Sequence, residues 1–453
     1  MTDVDVLVAG SGGAGLAAAL VAGQAGASVA LLEWREQFRQ ANNTAMSTSM
    51  VPAGGSRWQA AAGIDDSPDR FLADVLAKTG GSAEPGVARA LVDVAPELVA
   101  WMQDRCGVPL DLVTDFVYPG HSTPRCHSVP DRSGRSMLAS LLAALPDGVD
   151  LLAGTRLTGL GRADDGWVCE TRDPSGASEQ LTAGSVVLAT GGFGADSELV
   201  ARHLPEIVEG VYFGGDGCHG DGLRLGTALG ADTSCLDAYQ GHGSLAASQG
   251  TLTTWATVMH GAVLTNRDGR RFGDETVGYS EYARKVLDQP GAEAFVVLDE
   301  RVDGLCRDFR DYLELREQGG VRWAADVAEL AELTGAPREV LLETLDSTAA
   351  AAAGQTPDPF GRTDFAAPLT APFGVVRVTG ALFHTQGGLL VDARARVLAG
   401  GTPLDGLYAA GGAAVGISGH GAGGYLAGNG LLAALGLGYL AGTDAATRFP
   451  GGR

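Results

Sequence analysis

The most constraining feature of this chain is its opening: Asp5-Val-Leu-Val-Ala-Gly10, then Gly10-Ser-Gly12-Gly13-Ala14-Gly15, then an alanine-rich stretch ending in Val29-Ala-Leu-Leu-Glu33. This order predicts a strand, a glycine turn, a helix and a second strand closed by an acid. Gly10 makes the tight turn, Gly12 lets the backbone approach a pyrophosphate, and Gly15 lets helix and strand pack closely. The helix N-terminus then presents N–H groups and partial positive charge to phosphates. Glu33 stands at the distance from the turn at which an acid accepts hydrogen bonds from a ribose. The whole unit reads as a dinucleotide cradle.

The chain has 453 residues and a formal net charge of −22, with 45% hydrophobic residues. That length supports two or three domains with ordinary cores. The charge argues against nucleic acid and anionic membrane surfaces as partners. The apolar run Leu431–Leu440 is short and interrupted by glycine, so no membrane insertion is expected. Six scattered cysteines (Cys106, Cys126, Cys169, Cys218, Cys235, Cys306) form no CxxC pair, so no metal or cluster is expected. A first strand entered by Asp3 leaves no room for a signal peptide, and the expected location is cytoplasmic.

Helical patterns cover Pro68–Lys78 and Gly86–Gln103. Strand patterns cover Gly148–Gly161, Trp167–Arg172 and Gln180–Leu188, the last running into Ala189-Thr190-Gly191. From about Asp237 to Pro368 the chain turns more polar and aromatic, with charged helical patterns at Asp299–Glu317, Ala325–Leu333 and Pro337–Ala353. Glycine-rich strand and turn patterns then resume. The expected organisation is a first part of a cofactor domain at 1–236, an inserted substrate domain at 237–368, and the remainder of the cofactor domain at 369–453. The expected fold class is α/β, a Rossmann-like domain of the glutathione-reductase type with an inserted α+β cap.

Further motifs follow in order: Asn43-Thr44 with Ser47, Ala189-Thr-Gly-Gly-Phe-Gly194, Gly261 to Phe272, Phe383-His384-Thr-Gln-Gly-Gly388, and Gly428-Asn429-Gly430. Together with the opening turn they resemble the FAD flavoproteins that include fumarate reductase, succinate dehydrogenase, urocanate reductase and 3-ketosteroid Δ1-dehydrogenase. The resemblance implies FAD, with the inserted domain capping its ring system. It implies that Gly10, Gly12, Gly13, Ala14 and Gly15 hold the pyrophosphate and Glu33 the ribose. It places Asn43, Thr44 and Ser47 near the ribityl and flavin region, with Ala189, Thr190, Gly191 and Asp221 flanking the cofactor. Gly411, Gly412, Gly428, Asn429 and Leu431 complete the set. Asn43 stands where succinate dehydrogenases carry the histidine bonded to FAD, so non-covalent FAD is expected. Gly412 stands where many members have a glutamate.

The same resemblance assigns the chemistry. In fumarate reductases the proton comes from an arginine four residues after the glutamate of Arg-Phe-x-x-Glu. Here the motif is Arg271-Phe-Gly-Asp-Glu275 and the fourth residue onward is Tyr279. A tyrosine there resembles the ketosteroid dehydrogenases, where it removes the proton α to a ketone. A phenol of ordinary pKa near 10 needs help to ionise, and Arg271 and Arg284 are the nearby charges in sequence. Tyr425 occupies the place of a second, carboxylate-binding arginine, which makes fumarate a poor substrate. Registered on the ketosteroid dehydrogenases, His420 and the Gly424 N–H form a two-donor oxyanion site. His384 and His242 match the family's substrate histidines, and each is also readable as a structural histidine. The segment Gly120–His127 is a candidate pocket wall, with Arg125 as a carboxylate partner and a solvated loop as the plain alternative; His121 and His127 are too isolated for a metal.

The implied activity is α,β-dehydrogenation of a small ketone or keto acid, with hydride transfer to flavin N5. The alternative is reduction of an activated alkene, as in fumarate or urocanate reductase. The implied partners are a small carbonyl substrate and an electron acceptor that the sequence does not specify.

Overall fold

A computed structural model describes residues 2–40 and 42–449 of the chain. Contacts divide it into two units. The first comprises residues 1–205, 214–239 and 384–453; the second comprises 206–213 and 240–383.

The first unit is built on an eight-stranded sheet. Its central order is Arg396–Ala399, Thr402–Ala409, Ser178–Leu188, Val4–Ala9, Val29–Glu33 and Val149–Ala153. The middle strands are parallel, with Val8 opposite Leu31 on one side and Val187 on the other. Val6, Leu7, Val8, Leu31, Val186 and Val187 are all buried. Strands covered on both faces read as continuous apolar runs, which is why the opening motif is so uniformly aliphatic. The strand pattern at Gly148–Gly161 proves to be two strands, broken at Gly154, whose φ is +80°. Arg156–Ala163 and Gly166–Arg172 then form an antiparallel meander with Ser178–Leu188.

Helix Gly13–Gln24 packs on the last helix, Asn429–Thr447, through small residues. A Cβ at Gly438 would run into the Ala14 carbonyl and one at Gly442 into the Ala18 carbonyl. Only glycine allows this backbone-to-backbone approach. The apolar, glycine-interrupted run near Leu431–Leu440 is therefore a core helix, with Leu432, Leu435 and Leu437 buried. Among the described residues no helix is long and apolar enough to cross a membrane.

The second unit carries a seven-stranded sheet whose spine is Phe373–Thr385. Glu293–Asp299 runs antiparallel to it, with Phe295 opposite Arg377 and Val297 opposite Val375. Helices Val327–Thr334 and Arg338–Ala352 contribute Leu330, Leu341 and Leu345 to a core with Val263, Phe295, Val297 and Phe373. The charged pattern at Asp299–Glu317 is two helices, Glu300–Leu305 and Arg310–Glu317. The insertion boundaries differ from those expected. The change in composition suggested an end at 368, but the spine strand belongs to the second sheet up to Phe383, and residues 206–213 join it because Val211 and Tyr212 pair with Ala381 and Leu382.

Candidate active site

In the first unit the glycine turn has the geometry a dinucleotide requires. Gly10 has φ +106°, and a Cβ there would collide with the Ala189 carbonyl; a Cβ at Gly15 would collide with the Gly10 carbonyl. Gly12 is different: a Cβ there would meet only Thr44 Oγ1, at 3.7 Å, so this backbone lies open. Gly12 also starts the helix without a side-chain cap, which suits an anion. Glu33 is buried; its Oε2 accepts from the Ser11 N–H (3.1 Å) and Ser11 hydroxyl (2.8 Å), and its Oε1 from the Arg35 N–H. The acid thus holds the turn as well as marking its end.

The polar segment after the second strand folds back on this turn. Thr44 Oγ1 accepts from the Gly13 N–H at 2.9 Å, and the Ser47 hydroxyl donates to the Thr44 carbonyl at 2.7 Å. Asn43 Oδ1 accepts from the Gly215 N–H at 2.6 Å, and its amide nitrogen lies 3.5 Å from Cys218 Sγ. Thr190 Oγ1 accepts from the Gly222 N–H. Gly411 sits against Ala14, and a Cβ at Gly412 would strike the Gly192 backbone.

The last helix starts at Gly428, whose φ is +85°. Asn429 is fully buried, and neither its Oδ1 nor its Nδ2 has a hydrogen-bond partner among the described residues. Two unsatisfied buried amide atoms are costly unless a ligand satisfies them. Around them, the Tyr425 hydroxyl oxygen accepts from the Gly430 N–H at 3.3 Å, and the Tyr425 and His384 rings meet edge-to-face at 5.8 Å. Leu431 is buried beside them in sequence. The open glycine turn, the uncapped helix and the unsatisfied Asn429 amide fit FAD.

In the second unit, Tyr279 begins helix Tyr279–Leu287 and stacks on His242, with ring centroids 4.9 Å apart and planes 21° apart. Trp255 and Phe383 pack edge-on against His242. The His242 Nδ1 accepts from the Ser244 N–H at 3.2 Å, so the ring's own hydrogen is on Nε2. Burial lowers the pKa of His242 to about 3 and that of His384 to about 4, so both are neutral donors at neutral pH.

Several expected roles change. His420 is 60% exposed at its side chain and pairs with Asp237 at 2.7 Å. An exposed ring already hydrogen-bonded to a carboxylate is a poor oxyanion donor, whereas Gly424 is buried, so the two expected partners have different settings. The Asp221 carboxylate is held by Arg156 through two bonds of 2.7 and 2.8 Å at the start of its helix. Arg125 is fully buried against Asp66 and Asp74, so it has no charge to offer a substrate. His121 bonds the Ala427 carbonyl, and His127 bonds the Ser56 hydroxyl; both are structural. Arg271 is bound by Glu275 and Asp358, and Arg284 by Asp288, so both are engaged by carboxylates. Sequence reading assigned no role to Gln386 and Gly430, which lie against His384, or to Ser418, which bonds Gln386; Gln386 and Gly430 were visible inside their motifs.

The chain is similar to known flavoproteins. The chain is 31% identical to an NADH:fumarate oxidoreductase of Klebsiella pneumoniae (strain 342) over 99% of its own length and 48% of the relative's, so it spans about half of that protein. It is 28% identical to a solved flavocytochrome c3 fumarate reductase in an open conformation, with a TM-score of 0.80, covering 98% of this chain and 78% of the other. A 3-ketosteroid-Δ4-(5α)-dehydrogenase from Rhodococcus jostii RHA1, solved with 4-androstene-3,17-dione, matches at 25% identity and a TM-score of 0.77 over 98% of both chains. The protein is an FAD-dependent oxidoreductase acting on CH–CH bonds. Matching over residues 5–431, the chain belongs to the FAD binding domain family.

Proposed function

We propose that the enzyme desaturates a small ketone or keto acid at the bond next to its carbonyl, using non-covalent FAD. Bound FAD supplies a hydride acceptor at N5. Tyr279, ionised to the phenolate, takes the α-proton and becomes a phenol, and His384, Tyr425 and the Gly424 N–H hold the oxygen on which negative charge develops. The observation that supports this reading is the setting of Tyr279, the residue to which the resemblance gives proton transfer: its ring is stacked on a neutral histidine amid Trp255 and Phe383. Its nearest arginine in the motif, Arg271, is already bound by two carboxylates.

Neutral donors suit a carbonyl oxygen. A dicarboxylate dianion calls for arginine, whose fork pairs two oxygens at once. Tyr425 brings a phenol to the place where the resemblance puts that arginine. The Gly430 N–H donates to its oxygen, which polarises the phenol toward donating its own hydrogen.

The relative named for fumarate favours a second reading, reduction of an activated alkene with Tyr279 delivering the proton. Anaerobic mixing separates the two. A saturated cyclic ketone bleaches the flavin of a desaturase, whereas an enone re-oxidises the dithionite-reduced flavin of a reductase. No bleaching by any saturated ketone or keto acid, with rapid re-oxidation by enones, would replace the first reading with the second.

A further inference from the structure

We propose that Gln386 is a positioning residue that holds His384 with its hydrogen on Nε2, and that this tautomer fits the ring to a carbonyl oxygen. The selection part rests on His384 being a partner of the substrate oxygen; the hold on the ring does not.

The amide bridges Ser418 and His384. Gln386 Oε1 accepts from the Ser418 hydroxyl at 2.9 Å, and in this orientation Nε2 faces His384 Nδ1, also at 2.9 Å. Its main chain is pinned as well, since its N–H donates to the Ala238 carbonyl and its carbonyl accepts from the Gly416 N–H, both at 2.8 Å. An amide nitrogen has hydrogens and no acceptor lone pair, so Nδ1 must meet it with a lone pair. With its pKa lowered to about 4 the ring is neutral at neutral pH, and its one hydrogen is therefore on Nε2.

Among the described residues one other group competes for Nδ1. The Thr385 carbonyl oxygen lies 3.4 Å from it and would accept a hydrogen if Nδ1 carried one. The tautomer is a contest between a donor at 2.9 Å and an acceptor at 3.4 Å, and the shorter bond wins. The opposite edge of the ring faces the start of the last helix. A Cβ on Gly430 would lie 2.9 Å from His384 Nε2 and 3.2 Å from the Tyr425 hydroxyl, so only glycine lets these two groups approach there.

The test uses holoenzyme labelled with 15N-histidine, the His384 signals being those lost in His384→Asn. In the wild type Nε2 carries the hydrogen and Nδ1 does not. Gln386→Met keeps the bulk and removes the donor, so the hydrogen moves to Nδ1 and toward the Thr385 carbonyl. With that shift, kcat on a saturated cyclic ketone that bleaches the wild-type flavin falls by about 10²-fold, the scale of one lost oxyanion donor, while KM changes little. Ser418→Ala frees the amide to turn and gives a mixture of tautomers, which keeps the question answerable if Gln386→Met folds poorly. A wild-type hydrogen on Nδ1, or an unmoved hydrogen in Gln386→Met, overturns the proposal. A shifted hydrogen with unchanged kcat overturns its selection part, and with it the reading of His384 as a substrate partner.

Discussion

Tyr279 and His242 lie face to face, 4.9 Å between ring centroids, with Trp255 set at an angle to both. Stacking fixes the phenol's plane, and helix Tyr279–Leu287 fixes its root. Under the proposed mechanism the hydroxyl is the only part of this group that chemistry uses. Tyr279→Phe keeps the stacked ring and removes the oxygen. We expect unchanged FAD content and melting temperature, and turnover reduced by about 10²–10⁴-fold, the usual contribution of a positioned base. Steady-state kinetics on the purified flavoprotein checks it; full turnover would remove Tyr279 from the mechanism and leave the fold untouched.

Asn429 yields a prediction with opposite signs in two states. Its buried amide lacks hydrogen-bond partners among the described residues, which destabilises the protein without cofactor by about 1–3 kcal/mol relative to an apolar side chain of similar shape. Asn429→Leu should therefore raise the melting temperature of apoprotein prepared without FAD. The same change should shrink the further rise that added FAD produces, because the ligand loses a partner. Equal shifts in both states would show that the amide does not meet the cofactor.

Much of this was legible because its causes are local. A Cβ at Gly15 would strike the carbonyl of Gly10 in the same turn, so this position must be glycine in any chain that makes it. The motif order carried the family and the cofactor for the same reason. Arg125 was misread because its partners Asp66 and Asp74 are 59 and 51 residues away in sequence, and no local pattern announces such a pair. His420 failed differently. The loop from Gly416 to Gly430 is rich in glycine and has no periodicity to fix a register, so sequence could not tell a pocket histidine from a surface one. The domain boundary at Phe383 was hidden because Phe373–Thr385 is a strand like its neighbours in composition, and only pairing shows which sheet it joins.

Glu275 ties together the charged cluster beneath the Tyr279 helix. It is fully buried and receives Arg271 through bonds of 2.9 and 2.7 Å and Arg362 at 3.1 Å, while Arg271 also reaches Asp358. Removing one partner from such a network leaves a buried charge uncompensated, at a cost of about 3–5 kcal/mol. Glu275→Gln should lower the urea midpoint of unfolding accordingly, and the double change Glu275→Gln with Arg362→Met should recover part of the loss. A midpoint unchanged in the single variant would mean that water reaches the cluster.

Four histidines with lowered pKa values set a pH window for stability. Burial pushes His121, His127 and His384 down to about 4 and His242 to about 3, from an ordinary value near 6.5. Between pH 6.5 and 4 the unfolded chain binds protons at these sites and the folded chain does not, so stability falls as pH falls through this range. Each histidine contributes a slope of up to about 1.4 kcal/mol per pH unit, with nothing lost above pH 7. Carboxylates held low by partners, such as Asp74 and Asp196, lose their contribution only nearer and below their ordinary value of 3.8. The two effects therefore separate on the pH axis. Urea midpoints at pH 7.5, 6.5, 5.5 and 4.5 should be level at first and then fall. His127→Asn should flatten that fall because it removes one titrating ring. A profile level down to pH 4.5 would mean that these rings gain their protons in the folded state without cost.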